Sequence, residues 1–280
     1  MLRAIAGVGW PEDLLAQATF PTDAGQWPGH TLASGGPCAI APDNPDGIIL
    51  PALLQQCGMA YGAMVVISGR GESYGLLGVH TTAPRSFSDG DLTFLRNIAN
   101  VLGAAIERNF YEEELRYLST HDALTKLYNR AFFEEEFERL ERGRRYPVSI
   151  VVIDVDGLKV ANDTLGHQVG DALLCRTAAV LLATFRAEDM VARIGGDEFA
   201  ILLPHVDEVS AVVILNRLQQ QIEADNHRHG APKLQLSVGL STAAVRDVMD
   251  EIFRKADMEM YRDKMSRRSS PMPVALDAQV

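Results

Sequence analysis

The sequence has few cysteines and lacks long apolar runs. Its three cysteines, Cys38, Cys57 and Cys175, are an odd number at wide, unpatterned spacing. Such a set argues against a disulfide framework or a zinc site and predicts buried, reduced thiols. No stretch approaches the roughly 18 apolar residues of a membrane-spanning helix, and the apolar residues after Arg3 are too few for a signal peptide. We therefore expect a cytoplasmic chain with no membrane span.

Positive charge is also scarce, above all in the first third of the chain. Arg3, Arg70 and Arg85 are the basic residues of positions 1–88, and Lys126 is the first lysine. The whole chain has 26 basic and 37 acidic residues, which gives a formal net charge of -11. This excess of negative charge argues against a protein that coats nucleic acid or an anionic membrane. A phosphate-bearing substrate would need local lysines and arginines together with a divalent cation.

The length of 280 residues fits two domains at roughly 150 residues each. Residues 1–88 are dense in glycine and proline, which predicts strands joined by many turns. Strands are expected over 39–41, 63–68 and 74–80, the last two as a hairpin, with a short helix over 49–57. This order, closed by segments 74–80 and 87–95, resembles the C-terminal two thirds of a GAF sensor domain.

The GAF resemblance implies a ligand-sensing domain that is N-terminally incomplete, because no helix and strand can be recognised before Leu2. The sequence does not identify the ligand. His30, His80 and Cys57 are expected to be ordinary core or surface groups rather than haem or chromophore anchors.

A connecting helix is predicted over 89–118. Ser88 and Asp91 have the spacing of a capping box, which marks a helix start. Four apolar residues recur at spacings of three and four, the pattern of a helix that packs on a partner: Leu95, Ile98, Leu102 and Ala105. The same pattern also fits a lone amphipathic helix that lies on its own domain.

The sequence Gly195-Gly196-Asp197-Glu198 organises the second half of the chain. Strand-forming residues flank it at 191–194 and 199–203, which predicts a β-hairpin whose glycines take positive φ angles. The two acids would lie on the rim of the turn, where the absence of a Cβ leaves room for a phosphate and a metal ion. Taken alone, the stretch also fits an ordinary hairpin with solvated acids.

A second acid comes at the end of a predicted central strand. Residues 146–154 are a near-continuous run of β-branched residues that ends in Asp154. If this strand lies beside the hairpin, with 169–185 as a crossover helix, Asp154 and Asp197 meet at one edge. Repulsion between them favours a divalent cation, and oxygen ligands select Mg²⁺ or Mn²⁺.

Three blocks of the sequence together resemble the GGDEF family, the diguanylate cyclases. They are 121–130, 154–171 and the signature at 195–199. Lys126 stands where the family usually has glycine, and Leu158 stands where Phe is usual. The family joins two GTP molecules into cyclic di-GMP and releases pyrophosphate.

The resemblance implies a mixed α/β (α+β) fold. A GAF-like antiparallel-sheet domain over 1–88 and the connecting helix over 89–118 would precede a ferredoxin-like, palm-type GGDEF domain over 119–275. Because one such domain has a single set of guanine and metal groups, two copies must meet. A homodimer through the connecting helix and the GAF domain is therefore implied.

The resemblance also implies roles for individual residues. The implied metal ligands are Asp154, the carbonyl group of Val155, Asp197 and Glu198, and the implied catalytic residues are Lys159, Asp197 and Glu198. The implied substrate contacts are Asn162, Asp171, Gly195, Gly196, Lys264 and Arg268. Asn162 and Asp171 would read guanine, although each alone also fits a helix cap or a solvated turn acid. Arg267 stands where the family usually has glycine, so the sequence departs from the family pattern directly beside Arg268.

Arg186 and Asp189 stand where the family has its inhibitory site for cyclic di-GMP, with Arg193 as a further contact. Arg-x-x-Asp alone is more often a surface ion pair. Two other functions compete with the cyclase. One is a catalytically silent domain that binds GTP or cyclic di-GMP and signals through contacts, and the other is an adaptor whose main function is GAF dimerisation.

Overall fold

The computed structural model describes residues 1–268 except 11–14, 16, 42, 44–46, 144–145 and 245–246. Its internal contacts divide the chain into a first unit, Met1–Glu114, and a second unit, Leu115–Val280. The three cysteines, all in the described part, form no disulfide. The prediction of buried thiols is wrong, because Cys38 and Cys57 are half-buried and Cys175 is exposed on α6. Among the described helices, none is long and apolar enough to cross a membrane.

The first unit contains a short strand pair and a three-stranded antiparallel sheet ordered β3-β4-β5. Its elements in chain order are β1 (Leu2–Arg3), β2 (Thr19–Phe20), α1 (Trp27–Ser34), β3 (Cys38–Ile40), α2 (Ala52–Gln56), β4 (Tyr61–Ser68), β5 (Ser73–Thr81) and the start of α3 (Asp89–Thr120). The predicted strands and the β4–β5 hairpin are confirmed. The amide of Gly69 closes the hairpin by donating to the carbonyl oxygen of Glu72 at 3.0 Å.

Helix α1 occupies a stretch for which the sequence predicts only turns. Proline lies in the first turn of this helix, where its missing N–H costs nothing, and Gly35 ends the helix with a φ of 65°. Trp27 is completely buried in the core of the unit. Burial of the indole therefore outweighs the local preference of the Pro-Gly pair for a turn.

Helix α3 begins with the predicted capping box. The Ser88 Oγ accepts from the Asp91 amide at 3.2 Å, and the Asp91 carboxylate accepts from the Ser88 amide at 2.8 Å. Leu95 does not belong to a partner-facing stripe, because it is buried against Ala63 and Val65 of its own unit. Ile98 and the residues of the predicted stripe after it remain exposed.

The second unit is built on a five-stranded sheet ordered β10-β7-β9-β8-β6. Its elements are β6 (Tyr128–Asn129), α4 (Arg130–Gly143), β7 (Val148–Val155), α5 (Leu158–Leu165), α6 (His167–Thr184), β8 (Met190–Arg193), β9 (Glu198–Pro204), α7 (Glu208–His229), β10 (Leu236–Ala243) and α8 (Met249–Arg268). β6 pairs with β8 in parallel, and the other pairs are antiparallel. The predicted mixed α/β fold is confirmed.

Helices cover both faces of this sheet. Residues of α5, α6 and α7 form a core with one face, and residues of α4 and α8 form a core with the other. β7 is buried along its whole length, as predicted for a central strand. At Gly239 of β10 an added Cβ would lie 1.9 Å from the carbonyl oxygen of Ala256, so α8 packs directly on the strand backbone. This close packing brings the end of α8 to the tip of β7.

Candidate active site

The tip of β7 and the start of β9 lie side by side. Asp154 is opposite Glu198 in the antiparallel register, and the Val155 amide donates to the carbonyl oxygen of Asp197 at 2.9 Å. The structure thus brings together at one sheet edge the acids that the sequence separates by about 40 positions.

The turn between β8 and β9 needs its first glycine for a reason other than the predicted one. Neither Gly195 nor Gly196 has a positive φ angle, so that part of the prediction is wrong. An added Cβ at Gly195 would lie 2.5 Å from Glu198 Oε2 and 3.1 Å from Glu198 Cβ, whereas one at Gly196 would meet no atom within 4 Å. Gly195 therefore makes room for the glutamate, and Gly196 leaves open space on the rim of the turn.

Asp154 is buried and only half satisfied. Its Oδ2 accepts from the Lys264 Nζ at 2.5 Å, whereas its buried Oδ1 has no hydrogen-bond partner in the described part of the chain. Burial raises the pKa of this carboxyl, and repulsion from Asp197 and Asp156 adds to the rise against the opposing effect of Lys264. The alternative of a hairpin with solvated acids concerned Asp197 and Glu198, and both residues are half-buried.

Glu198 is surrounded by like charge. Burial raises the pKa of its carboxyl, and repulsion from Asp197, Asp154 and Asp257 raises it further. Glu198 and Asp257 line two cavities of about 790 and 680 Å³. Asp257 was not predicted as a site residue, although its place seven residues before Lys264 puts both on one face of α8.

The site suits a hard divalent cation that takes part of its ligands from substrate phosphates and water. The orphaned Oδ1 of Asp154 and the repulsion among the neighbouring carboxylates are the features that a cation would relieve. Within the described residues no group of three or more His, Cys, Asp or Glu side chains is arranged to hold a metal on its own. Mg²⁺ is commonly held by one or two carboxylates together with substrate phosphates and water, so the residues present fit that ion.

Of the two predicted guanine contacts, Asn162 lies at the close approach of α5 and α6. An added Cβ at Gly170 would lie 1.9 Å from Asn162 Oδ1, and Asp171 is the next residue along α6. Asn162 is not a helix cap, because Gly157 and Gly166 are the caps of α5, and Asp171 is an exposed acid that lies within α6 rather than in a turn. Lys159 is exposed in the first turn of α5. Gly170 is a position whose importance the sequence analysis missed.

Arg186 and Asp189 form the two ends of a tight turn before β8. The Asp189 carboxylate accepts from the Arg186 amide at 2.8 Å and is buried, which raises the pKa of its carboxyl. The Arg186 guanidinium is 69% exposed and lies 3.8 Å from Glu188. The arginine side chain is therefore accessible, while the aspartate shapes the turn.

Arg193 is placed differently from Arg186. Its guanidinium is 15% exposed and donates to Asp122 Oδ1 at 3.1 Å and to the Gly196 carbonyl oxygen at 2.8 Å. Hydrogen bonds from Thr125 and Arg193 overcome the effect of burial and lower the pKa of Asp122. The Nε of Arg193 is buried and has no hydrogen-bond partner among the described residues.

Lys264 reaches the site from α8, as its contact with Asp154 shows. Arg267, one turn later, pairs with Asp263 at 3.1 Å, and Asp263 also accepts from the Val238 amide at 3.0 Å. The side chain of Arg268 lies outside the described residues.

In the first unit, His80 lies edge-on to Trp10 and Trp27, with ring centroids 6.2 and 5.4 Å away. Burial lowers its pKa to about 4, so the ring is neutral near pH 7. This packing agrees with the expectation of a core histidine.

The protein is thus a mixed α/β domain in which buried and half-buried carboxylates lie at the tips of central strands, with Lys264 bound to one of them. The chain belongs to the GGDEF family: residues 119–270 match the family model for the diguanylate cyclase, GGDEF domain. Residues 4–106 match the model of the GAF domain.

Curated relatives and solved structures match part of this chain. The probable diguanylate cyclase DgcE of Escherichia coli K12 is 34% identical over 202 residues, which are 68% of this chain and 17% of that protein. Diguanylate cyclase DgcM of the same strain is 32% identical over 168 residues, 58% of this chain and 40% of that protein. The chain thus spans less than half the length of these relatives.

A solved structure supports the fold. The coiled coil and GGDEF domain of DgcB from Caulobacter crescentus, in complex with c-di-GMP, matches 62% of this chain and 95% of that chain. The TM-score is 0.55 at 23% sequence identity, a likeness of fold alone.

Proposed function

We propose that this chain is a diguanylate cyclase that joins two GTP molecules into cyclic di-GMP and releases two pyrophosphates. The observation that carries the proposal is the buried Asp154, whose Oδ1 has no partner among the described residues while Asp197 and Glu198 lie beside it. A buried carboxylate next to other acids is costly unless a cation joins them. The family and the named cyclases among the relatives agree with this function.

The residues that would hold Mg²⁺ or Mn²⁺ are Asp154, the carbonyl group of Val155 and Asp197, with Glu198 close by. When bound, such an ion would polarise the α-phosphate and stabilise the charge that develops on its oxygens. The described acids cannot complete the ligand set, so triphosphate oxygens and water would supply the remainder.

The side chains of this chain would then position the reactants and move one proton. In each half-reaction the ribose 3′-oxygen of one GTP forms a bond to the α-phosphorus of the other, and the bond to pyrophosphate breaks. The hydroxyl proton would pass to Glu198, the carboxylate that lies beside the proposed metal ligands. Lys159 and Lys264 offset the charge that builds up on the leaving pyrophosphate.

Recognition of guanine is assigned to the contact between α5 and α6. Asn162 offers an amide and Asp171 an exposed carboxylate within one residue of Gly170. A carboxylate accepts from the N1 and N2 donors of guanine and repels the N1 acceptor of adenine. This pair therefore favours GTP over ATP.

Two copies must meet for the reaction, since each second unit has one set of these groups. Exposed apolar side chains on α3 supply a surface for a homodimer: Phe94 at 64%, Val101 at 69% and Leu115 at 65% exposure. The GAF domain would regulate the cyclase by altering how the paired helices meet. The exposed Arg186 with Asp189 supports inhibition by cyclic di-GMP.

The test is incubation of the purified chain with GTP and Mg²⁺, followed by chromatography of the products. We expect cyclic di-GMP and pyrophosphate from the wild-type chain and neither from Asp197→Ala. Glu223→Gln, which changes an exposed acid on α7, is the matched control and should retain full activity. A wild-type chain that binds GTP or cyclic di-GMP but makes no product would establish the silent adaptor instead.

A further inference from the structure

The contact between Lys264 and Asp154 differs from the other ion pairs of α8. Arg262 pairs with Glu259 and Arg267 pairs with Asp263, each within the helix. Lys264 instead reaches a strand tip 110 positions away, and its side chain is 19% exposed while that of Asp154 is 5% exposed. The pair therefore links α8 to the tip of β7 at the site, whereas the other two pairs lie within α8.

Asp154 and its neighbour Asp156 are satisfied in different ways. The Ser237 hydroxyl binds the Asp156 carboxylate, with Oγ 2.8 and 3.0 Å from the two carboxylate oxygens, so this acid has a neutral structural partner. Asp154 has a cation on one oxygen and no partner from the described residues on the other. Lys264 therefore binds a carboxylate whose other oxygen is available to a positively charged ligand.

We infer that Lys264 is an internal counter-cation, which occupies Asp154 in the nucleotide-free protein, competes there with a bare divalent ion, and passes to the nucleotide's phosphates when metal and nucleotide bind together. This inference rests on the proposed function, in which Asp154 holds the metal and Lys264 contacts the triphosphate. The inference adds that Lys264 leaves Asp154 when metal and nucleotide bind together, which the two separate roles do not imply.

The physical reason is that an ion bound at Oδ1 of Asp154 would lie close to the ammonium group on Oδ2, and two positive charges on one buried carboxylate repel each other. A bare ion must bind against this repulsion or displace the ammonium group, which would then lose its anionic partner. A metal–triphosphate complex instead supplies that partner, and the flexible stem of lysine allows its ammonium group to move. The cavity of about 680 Å³ lined by Asp154, Glu198 and Lys264 provides space for this movement.

Binding of Mn²⁺ to the metal-stripped full chain without nucleotide tests the first half of the inference. Free Mn²⁺ is measured by its electron paramagnetic resonance signal. We expect Lys264→Met to bind Mn²⁺ at least about tenfold more tightly than the wild type, the effect of removing one adjacent like charge. Arg262→Met is the matched control, because Arg262 lines the same cavity but pairs with Glu259, and it should change the affinity by less than about threefold.

Two further variants locate the effect. Lys264→Gln removes the charge but keeps a donor for Asp154, so it provides the same comparison if Lys264→Met does not fold. The double variant Lys264→Met/Asp154→Asn should lose the gain in affinity. Unchanged or weaker Mn²⁺ binding in both Lys264 variants, or a gain that survives in the double variant, overturns the inference.

The second half is tested with the unreactive analogue α,β-methylene-GTP. In the wild type this analogue should strengthen Mn²⁺ binding, and in Lys264→Gln the strengthening should be at least about tenfold smaller, since coupling between two ligands is reciprocal. Equal strengthening in both proteins contradicts a transfer of Lys264 to the phosphates. The product assay stays separate: a wild type that makes cyclic di-GMP without these Mn²⁺ effects refutes the inference alone, whereas a wild type that shows them without product refutes the proposed function.

Discussion

Arg193 ties the first turn of the GGDEF domain to the glycine turn. Its guanidinium donates to Asp122 at 3.1 Å and, from the other nitrogen, to the carbonyl oxygen of Gly196 at 2.8 Å. Asp197 follows Gly196 directly, so the position of a proposed metal ligand depends on this arginine. The planar, forked guanidinium can make both contacts at once, which a lysine cannot do.

The change Arg193→Gln tests this positioning role. We expect kcat to fall about tenfold, which corresponds to about 1.4 kcal/mol of transition-state stabilisation. The free energy of unfolding should fall by about 1–3 kcal/mol, since Asp122 loses a charged partner. Steady-state kinetics and denaturant unfolding measure both. If the variant keeps its kcat and only needs more cyclic di-GMP for inhibition, Arg193 belongs to the inhibitory site instead.

Lys126 occupies a backbone conformation that glycine prefers. Its φ is 62°, in the left-handed region. Lys126→Gly should raise the free energy of unfolding by up to about 1 kcal/mol, because relief of the left-handed strain exceeds the added entropy of the unfolded chain. Lys233→Gly is the control, since Lys233 is also exposed but has no positive φ, and it should not stabilise the protein. Thermal unfolding measures the stability of both variants. Equal changes in stability for Lys126→Gly and Lys233→Gly would contradict backbone strain at Lys126.

The two glycines of the turn form a matched pair. Gly195→Ala should displace Glu198, because the new Cβ would lie 2.5 Å from Oε2, and should lower activity about tenfold or more through loss of the placed acid. Gly196→Ala enters open space and should leave the thermal stability unchanged. The activity of Gly196→Ala then tests whether Gly196 contacts the substrate. Lower activity at unchanged stability indicates that a nucleotide approaches the backbone at this position. Wild-type activity would show that Gly196 is not a substrate contact.

Glu198 should make metal-free stability depend on pH. Its pKa is raised in the folded protein, so the folded state holds this proton more tightly than the unfolded chain does. The ionised carboxylate therefore opposes folding once the pH rises above the ordinary glutamate range. In EDTA at pH 7, Glu198→Gln should raise the melting temperature by up to about 2 °C, which is less than about 1 kcal/mol for a domain of this size.

The same variant should show no such gain near pH 4, where the wild-type carboxyl is protonated. Glu223→Gln, an exposed control, should show no pH-dependent difference. A Glu198→Gln variant less stable than the wild type at pH 7 would contradict the repulsion among these acids.

Arg186 provides the test of product inhibition. Arg186→Ala should raise the inhibitory concentration of cyclic di-GMP at least about tenfold, the loss expected for a hydrogen bond to a charged group. Its uninhibited rate should stay unchanged, because the guanidinium is exposed and has only a distant pairing with Glu188. Arg139→Ala, which removes an exposed arginine paired with Glu136, is the control. Equal inhibition of all three proteins would remove this site from the proposal.

Local patterns were sufficient for most elements. The capping box at Ser88 and Asp91, the buried strand that ends in Asp154 and the hairpin around the glycines all follow from short stretches of sequence. Helix α1 was missed because turn-forming residues at its start are overruled by burial of Trp27. The function of Gly195 was misassigned because a close approach to another side chain has no signature in a local pattern.

The family and the identity of the acids at the two strand tips followed from local sequence motifs. The contacts of those acids were decided by the tertiary structure. Lys264 lies on Asp154 only because α8 packs against the backbone at Gly239, and Asn162 meets Gly170 only because two helices approach without a Cβ between them. Residue types and their spacing follow from the chain alone, whereas a contact across 110 positions depends on how the whole sheet and its helices pack.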